Sequence, residues 1–114
     1  MDVKKETVQG TVVYRISGEL TTLTGPILDS ALVIDEGSSL VILDMREVTY
    51  VSSTGLRVIV QAAKRAKACK GGVAVFGLQT WVKKTFDVSG LGKIIPIASD
   101  ETEARSKLGI TEQS

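Results

Sequence analysis

The feature that most constrains the fold is an alternation of short apolar runs with segments of helical periodicity. Two strand-like segments, DVKKETVQ and TVVYRISGEL, flank Gly10 and predict an antiparallel hairpin at the start. Each later apolar run is separated from the next by a segment with apolar residues at helical spacing. The predicted order is β-β-α-β-α-β-α-β-α, and strands separated by helices pair in parallel through right-handed crossovers. We expect an α/β fold, with a mixed, mostly parallel sheet whose opening strand is antiparallel, packed with about four helices.

Local signals place the boundaries of the middle elements. The run SSLVILDM is continuous and rich in β-branched residues, so it predicts a central strand covered on both faces. The segment REVTYVSSTG is expected to be the turn after it. A proline in the first turn indicates that a helix begins at Thr24-Gly25-Pro26. Gly71-Gly72 is expected to stop the helix that follows Ser53.

The last elements and the core-facing residues follow from the same kind of signal. Pro96 assigns the final strand, KIIPIA, to an edge of the sheet, and Asp100 or Ser99 caps the closing helix. Trp81 could anchor a partner, but core packing is the favoured interpretation. The residues expected to face the core from the first three helices are Ile27, Leu28, Ala31 and Leu32; Leu56, Ile59, Val60, Ala63 and Ala66; and Trp81, Val82, Thr85 and Phe86.

Length and composition predict one domain spanning residues 1–114, because the chain has 114 residues and 43% of them are hydrophobic. The single cysteine, Cys69, allows no internal disulfide. The first ten residues lack the apolar run of a secretion signal, and no stretch approaches the length of a membrane span. We therefore expect a cytoplasmic protein without a membrane span.

Charge argues against direct nucleic-acid binding. Lys plus Arg number 14 and Asp plus Glu 13, whereas recognition of a phosphate backbone needs a concentrated positive field. The most basic stretch, residues 63–71, is expected to be a solvated helix face.

Several kinds of catalytic site are excluded by what the sequence lacks. The chain contains no histidine, so it has neither the usual general base nor the commonest metal ligand, and one cysteine cannot make a zinc site. The segment SGLGK fails as a phosphate-binding loop, since Asp87 replaces the first glycine and Ile94 replaces the magnesium-binding hydroxyl. The carboxylates show no tight cluster, and surface or capping roles are expected for Asp29, Asp35, Asp44 and Glu47. We expect no catalytic residue, no metal and no cofactor.

The cluster Ser52, Ser53 and Thr54 lies where a strand gives way to a helix. In one interpretation Ser52 or Ser53 caps the helix by accepting hydrogen bonds from its free N–H groups. In the other, a hydroxyl here is also modified by another protein, since a helix N-terminus tolerates a phosphate. Gly55 either eases a tight turn or allows a partner to approach closely.

Four motifs then occur in order along the chain: SGEL at residues 17–20, SLVILDM, YVSSTGL, and FDVSGLGKII at residues 86–95. With them the whole chain resembles the STAS domain family, in particular the bacterial anti-sigma factor antagonists. The motif of those antagonists is typically Asp-Ser-Ser/Thr-Gly-Leu, and here it reads Ser52-Ser53-Thr54-Gly55-Leu56. Its usual phosphoacceptor falls on Ser53.

The resemblance implies partner switching by a protein that is not an enzyme. The unmodified chain would bind an anti-sigma factor that is itself a GHKL-type serine kinase and so free a sigma factor. The kinase would phosphorylate Ser53 and dissociate, and a PP2C-type phosphatase would reset the switch. The residues expected to contact the partner are Thr21, Thr22, Ser52, Ser53, Thr54, Gly55 and Arg57.

Two departures leave an alternative open. The family often has acidic residues where this chain has Ser52 and Thr21. Losing both charges is expected to change the preference for kinase or partner, and it leaves Ser52 and Thr54 as possible secondary acceptors. The alternative function is a non-switching scaffold or a subunit of a transport complex. Nucleotide binding is a third, weaker hypothesis.

Overall fold

The computed structural model describes residues 1–8 and 10–109 and confirms the predicted order of elements. The strands are β1 (Asp2–Val8), β2 (Thr11–Leu20), β3 (Leu40–Val51), β4 (Gly72–Phe76) and β5 (Ile97–Ala98). The helices are α1 (Gly25–Ala31), α2 (Ser53–Ala68), α3 (Thr80–Val88) and α4 (Glu101–Lys107), with a 3₁₀ turn at Leu91–Lys93.

The sheet has the predicted mixed topology. β1 pairs with β2 antiparallel, and β2, β3, β4 and β5 follow in parallel in that spatial order. Residue Gly10 in the hairpin has a φ of +80°, a conformation that glycine adopts without strain. Since β2 and β3 are neighbours, their carboxyl ends lie side by side. In such sheets, binding sites commonly lie at the carboxyl ends of the strands.

Each face of the sheet carries its own core, because side chains alternate along a strand. In β2, Val12 and Tyr14 belong to the larger core and Val13 to the smaller one. The larger core includes residues of α1, α2 and α3, and the smaller one includes Ala104 of α4. Three helices therefore cover one face of the sheet and the closing helix covers the other.

Three sequence-based boundaries were wrong. β3 continues to Val51, so most of the predicted turn REVTYVSSTG is strand. α2 ends at Ala68, and Lys70, with a φ of 66°, takes the left-handed position expected of a glycine. Gly71 has a different role: a Cβ there would collide with the backbone of Ser39. The edge strand keeps only two residues of KIIPIA.

Some helix faces also differ from the prediction. Leu28, Ile59 and Phe86 are buried as expected, but Ile27 is 50% exposed and Trp81 is 73% exposed. Trp81 was therefore placed in the core wrongly. Of the two residues expected as possible caps of the closing helix, Asp100 and Ser99, the cap is Asp100. Its side chain accepts a hydrogen bond from the N–H of Glu103 at the start of α4. Among the described residues, no helix has both the length and the apolar character to cross a membrane.

Asp44 is only 5% exposed on β3, so the expectation that it is a surface or capping carboxylate was wrong. Its Oδ2 accepts hydrogen bonds from Arg15 at 3.0 Å and from Arg46 at 2.8 Å, and its Oδ1 accepts from Arg46 Nε at 3.0 Å. Arg15 also bonds Glu6 on β1 and Glu101 on α4. The network therefore ties α4 to three strands. Burial alone would raise the pKa of Asp44, but the hydrogen bonds and charges of the two arginines outweigh it and hold that pKa below its usual value.

The network predicts a loss of stability in acid. A carboxyl whose pKa is lowered by folding stabilises the protein fully above its unfolded pKa, about 3.9, and that contribution disappears as the pH falls through the folded pKa. Asp44→Asn is expected to lower the free energy of unfolding by about 2 kcal/mol at pH 7, because a neutral amide in the buried position loses the charge-assisted hydrogen bonds from Arg15 and Arg46. It is also expected to shrink the stability difference between pH 7 and pH 3, measured by urea denaturation.

Asp29→Asn is the matched control, because Asp29 is an exposed carboxylate that pairs with the exposed Arg65 at 3.6 Å. It is expected to change stability at pH 7 by less than about 0.5 kcal/mol. Equal urea midpoints at pH 7 for Asp44→Asn and the wild type would contradict a structural role for the network.

Candidate functional site

The candidate site begins where β2 and β3 end at the same level. Leu20 and Val51 are register partners in the parallel pair. The next N–H along the chain, that of Ser52, donates to the carbonyl oxygen of Leu20 at 2.8 Å. This bond carries the β2–β3 pairing one residue further, so the hydroxyl cluster starts directly at the edge of the sheet.

Ser52, and not Ser53, is the cap of α2. Its backbone is extended, and its Oγ accepts a hydrogen bond from the N–H of Gly55 at 3.1 Å. Ser53 is the first residue of the helix and is exposed. Within residues 1–8 and 10–109, no hydrogen bond of the Ser53 side chain is found. The structure thus separates the two hydroxyls into one that holds the helix start and one that is free at the surface.

The threonines of the β2–α1 loop lie against this helix start. Thr22 Oγ1 is 3.3 Å from Thr54 Oγ1, which joins the two turns into one surface. Thr21 is half-buried, and its Oγ1 accepts a hydrogen bond from the N–H of Leu23 at 3.1 Å. Thr24 Oγ1 accepts from the N–H of Thr21 at 2.8 Å and donates to the carbonyl of Glu19 at 2.6 Å. Thr21 therefore shapes the loop, while Thr22 is exposed beside Ser53's helix turn.

Gly55 is buried, so its part in the predicted binding surface is indirect. An added Cβ would lie 2.6 Å from Leu20 Cγ and 3.0 Å from the carbonyl oxygen of Leu20. Glycine is needed here because the first turn of α2 packs directly on the end of β2. Arg57, by contrast, is exposed and lies one turn after Ser53, on the same side of the helix.

Sequence reasoning missed the contribution of α3. A groove beside Ser53 is lined by residues of α2, of α3 and of the C-cap of α3: Ser53, Leu56, Trp81, Lys84, Thr85, Val88 and Ser89. The spacing of residues in α3 contains the information needed to find this groove. The buried face of the helix consists of Val82 and Phe86. Trp81, Lys84 and Val88 follow at spacings of three and four on a neighbouring face. Because Trp81 directly precedes Val82, the sequence pattern alone does not separate this stripe from the core stripe.

The groove beside Ser53 is lined by apolar, hydroxyl-bearing and lysine side chains. No carboxylate is among the residues that line the groove beside Ser53. Within the part of the chain that the structure describes, no group of three or more Cys, Asp or Glu side chains could hold a metal ion. A serine hydroxyl becomes a nucleophile when a neighbouring base takes up its proton.

The two serines are expected to respond differently to truncation. Ser52→Ala removes the cap and is expected to lower the free energy of unfolding by about 1 kcal/mol. Ser53→Ala removes a hydroxyl for which no hydrogen bond is found among the described residues, and it is expected to change the free energy of unfolding by less than about 0.5 kcal/mol. Urea denaturation of both variants checks this, and a larger loss for Ser53→Ala than for Ser52→Ala would reverse the assignment of the two roles.

Gly55→Ala is expected to lower the free energy of unfolding by about 2 kcal/mol, because the new methyl group overlaps Leu20. Gly37→Ala is the matched control, since a Cβ there meets only Asp35 Oδ1 at 3.6 Å. Thermal denaturation measures both changes. If the two alanine variants melted together, the close packing of α2 on β2 would be refuted.

Comparison with known proteins gives the site its family context. The family model described as STAS domain matches residues 2–104. The anti-sigma-B factor antagonist of Listeria monocytogenes is 33% identical over 90 residues, which are 77% of this chain and 79% of that protein. The anti-sigma F factor antagonist of Paenibacillus polymyxa is 29% identical over 114 residues, covering 96% of this chain and 97% of the relative.

Solved structures agree on the fold. An anti-sigma factor antagonist from Mycobacterium paratuberculosis has a TM-score of 0.85 at 21% identity, with 95% of this chain and 93% of that chain covered. SpoIIAA, described as an anti-sigma factor antagonist, has a TM-score of 0.77 in its unphosphorylated form at 21% identity, with coverages of 97% and 100%. The Bacillus cell fate determinant SpoIIAA in its phosphorylated form gives 0.70 at 20% identity, with coverages of 93% and 98%. The sheet topology, the family-model match across nearly the whole chain and these likenesses agree, and this chain belongs to the STAS domain family.

Proposed function

We propose that this protein is an anti-sigma factor antagonist that works by partner switching. The unphosphorylated chain binds an anti-sigma factor of the GHKL serine kinase type, phosphorylation of Ser53 by that kinase releases it, and a PP2C-type phosphatase resets the switch. The observation that carries the proposal is the exposed Ser53 side chain at the first turn of α2, at the centre of a surface with no carboxylate lining the groove beside it.

The geometry supports a switch that acts through surface charge. A phosphate on Ser53 would add about −1.5 to −2 charges at neutral pH. It would face the free N–H groups and the positive dipole end of α2, a helix of 16 residues, which favour an anion. Ser52 would remain the cap, and within the described part of the chain the Ser53 side chain makes no hydrogen bond that the phosphate would break. The modification then changes what the surface can bind and leaves the domain folded.

The comparisons support the same proposal. Relatives over most of the chain are named antagonists of anti-sigma factors, and SpoIIAA is known in unphosphorylated and phosphorylated forms. In this proposal the chain acts in the cytoplasm, catalyses no reaction and has no direct contact with nucleic acid.

The two departures from the antagonist motif fit a partner with different charge requirements. Ser52 and Thr21 both use their hydroxyls inside the turn, where each accepts a hydrogen bond from a backbone N–H. Hydroxyls can fill these positions structurally, but the surface lacks the two negative charges. We propose that the kinase of this chain makes no use of those charges. A non-switching scaffold or transport subunit is the alternative, and it would be indifferent to charge at Ser53.

Binding to the anti-sigma factor kinase encoded nearest to this gene tests the proposal. Incubation with that kinase and ATP is expected to add one phosphate, on Ser53, detected by mass spectrometry. Ser53→Asp is expected to weaken binding by at least about 10-fold, because a fixed negative charge enters the interface. Ser53→Ala is expected to bind like the wild type and to resist release by ATP, as measured by calorimetry.

Ser106→Asp is the matched control, since Ser106 is also an exposed helix serine but belongs to α4 on the other face of the sheet. It is expected to bind like the wild type. No binding by the unmodified wild-type chain, or equal affinities for Ser53→Asp and the wild type, would overturn the proposed switch.

A further inference from the structure

The groove beside Ser53 has an aromatic centre that the fold does not use. Trp81 is 73% exposed and Val88 is 81% exposed, both on α3. Tyr50, 52% exposed at the end of β3, lies with Trp81 along a second groove that adjoins the first. Large apolar side chains gathered in this way on a small domain mark a binding surface more often than a structural need.

This apolar surface is continuous with the switch residue. Ser53 and Leu56 of α2 line the groove from one side, and Trp81, Lys84 and Val88 line it from the other. A partner that covers Ser53 closely enough to phosphorylate it therefore also covers the α3 side of the groove. We call the part of the groove beside Ser53 that these five residues line the Trp81 groove.

The charge of the Trp81 groove indicates which chemical groups of a partner would bind in it. Among the described residues that line the Trp81 groove, Lys84 alone carries a formal charge, and its Nζ lies 5.5 Å from the centre of the Trp81 ring. The ring holds the ammonium group at the groove by a cation–π contact. The complementary occupant is an apolar side chain bordered by a carboxylate.

Resting on the function proposed above, we infer that the Trp81 groove is the docking site for an apolar side chain flanked by a carboxylate on the anti-sigma factor kinase. The apolar side chain packs on Trp81 and Val88, and the carboxylate pairs with Lys84. Trp81 is the anchor of the interface, and Lys84 sets its charge.

The same groove explains why a phosphate on Ser53 would expel the partner. The unmodified groove has a charge of +1 from Lys84, and the phosphate adds about −1.5 to −2. The charge of the groove is then reversed, and the partner's carboxylate meets a like charge where it met an ammonium group. Like charges brought together in an interface disfavour it strongly.

Calorimetric titration of the full chain with the anti-sigma factor kinase tests the inference. Trp81→Ala is expected to weaken binding by about 30-fold or more, as truncation of a central aromatic anchor does. Lys84→Glu is expected to weaken it by about 10-fold without any phosphate. Both variants change exposed residues, and circular dichroism and thermal melting check that they fold.

Two matched controls are available. Ile94→Ala shortens another exposed apolar residue, and Lys83→Glu reverses the neighbouring charge, which lines a different groove together with Asp87. Both are expected to bind within about twofold of the wild type. If Trp81→Ala and Lys84→Glu bind like the wild type while Ser53→Asp does not, this inference fails and the proposed switch stands. If the wild type itself does not bind, both fail.

Discussion

The hydrogen bond from the N–H of Ser52 to the carbonyl of Leu20 is the contact on which the site depends. It lengthens the pairing of β2 with β3 by one residue and fixes where the chain leaves the sheet. Gly55 then lets the first turn of α2 pack on Leu20, and the Ser52 side chain closes that turn by accepting from the N–H of Gly55. With the helix start held by these contacts, Ser53 is presented outward and takes no part in them.

At the start of α2, two adjacent hydroxyls therefore differ in their surroundings: that of Ser52 caps the helix and that of Ser53 is exposed. Ser52 accepts a hydrogen bond from a backbone N–H of the first turn, and in the proposed switch Ser53 is the residue that the kinase modifies. A switch residue with a structural bond would disturb the fold whenever it was modified. Because Ser53 has no such bond among the described residues, its chemistry is separated from the stability of the domain. The network around Asp44, on the other face of the sheet, stabilises α4 independently of this surface.

The sequence could predict the order of elements and the topology, because both follow from local periodicity and from the rule for parallel strands. It also predicted that the hydroxyl cluster lies at a strand-to-helix turn and that one serine caps the helix. It could not predict the burial of Asp44, which depends on arginines that reach it from β2 and from two residues along β3.

The sequence misplaced Trp81 because one aromatic residue next to Val82 is compatible with either of two helix faces, and only the packing of α3 on the sheet decides between them. The groove beside Ser53 was beyond reach for the same reason, since it joins two helices that are distant in the sequence.

In the proposed switch, a phosphate on Ser53 changes the surface and leaves the fold intact. Two-dimensional amide NMR spectra of the unmodified chain and of the chain carrying phosphoserine at position 53 test it without any partner. With the fold intact, we expect shifts confined to the first turn of α2, to Thr22 and to the facing residues of α3. The signals of Val13, Ile42 and Ala74 in the opposite core are expected to be unchanged. Shifts that extend through the strands, or a loss of signal dispersion, would show that the phosphate acts by disturbing the fold and would rule out a switch that acts through surface charge.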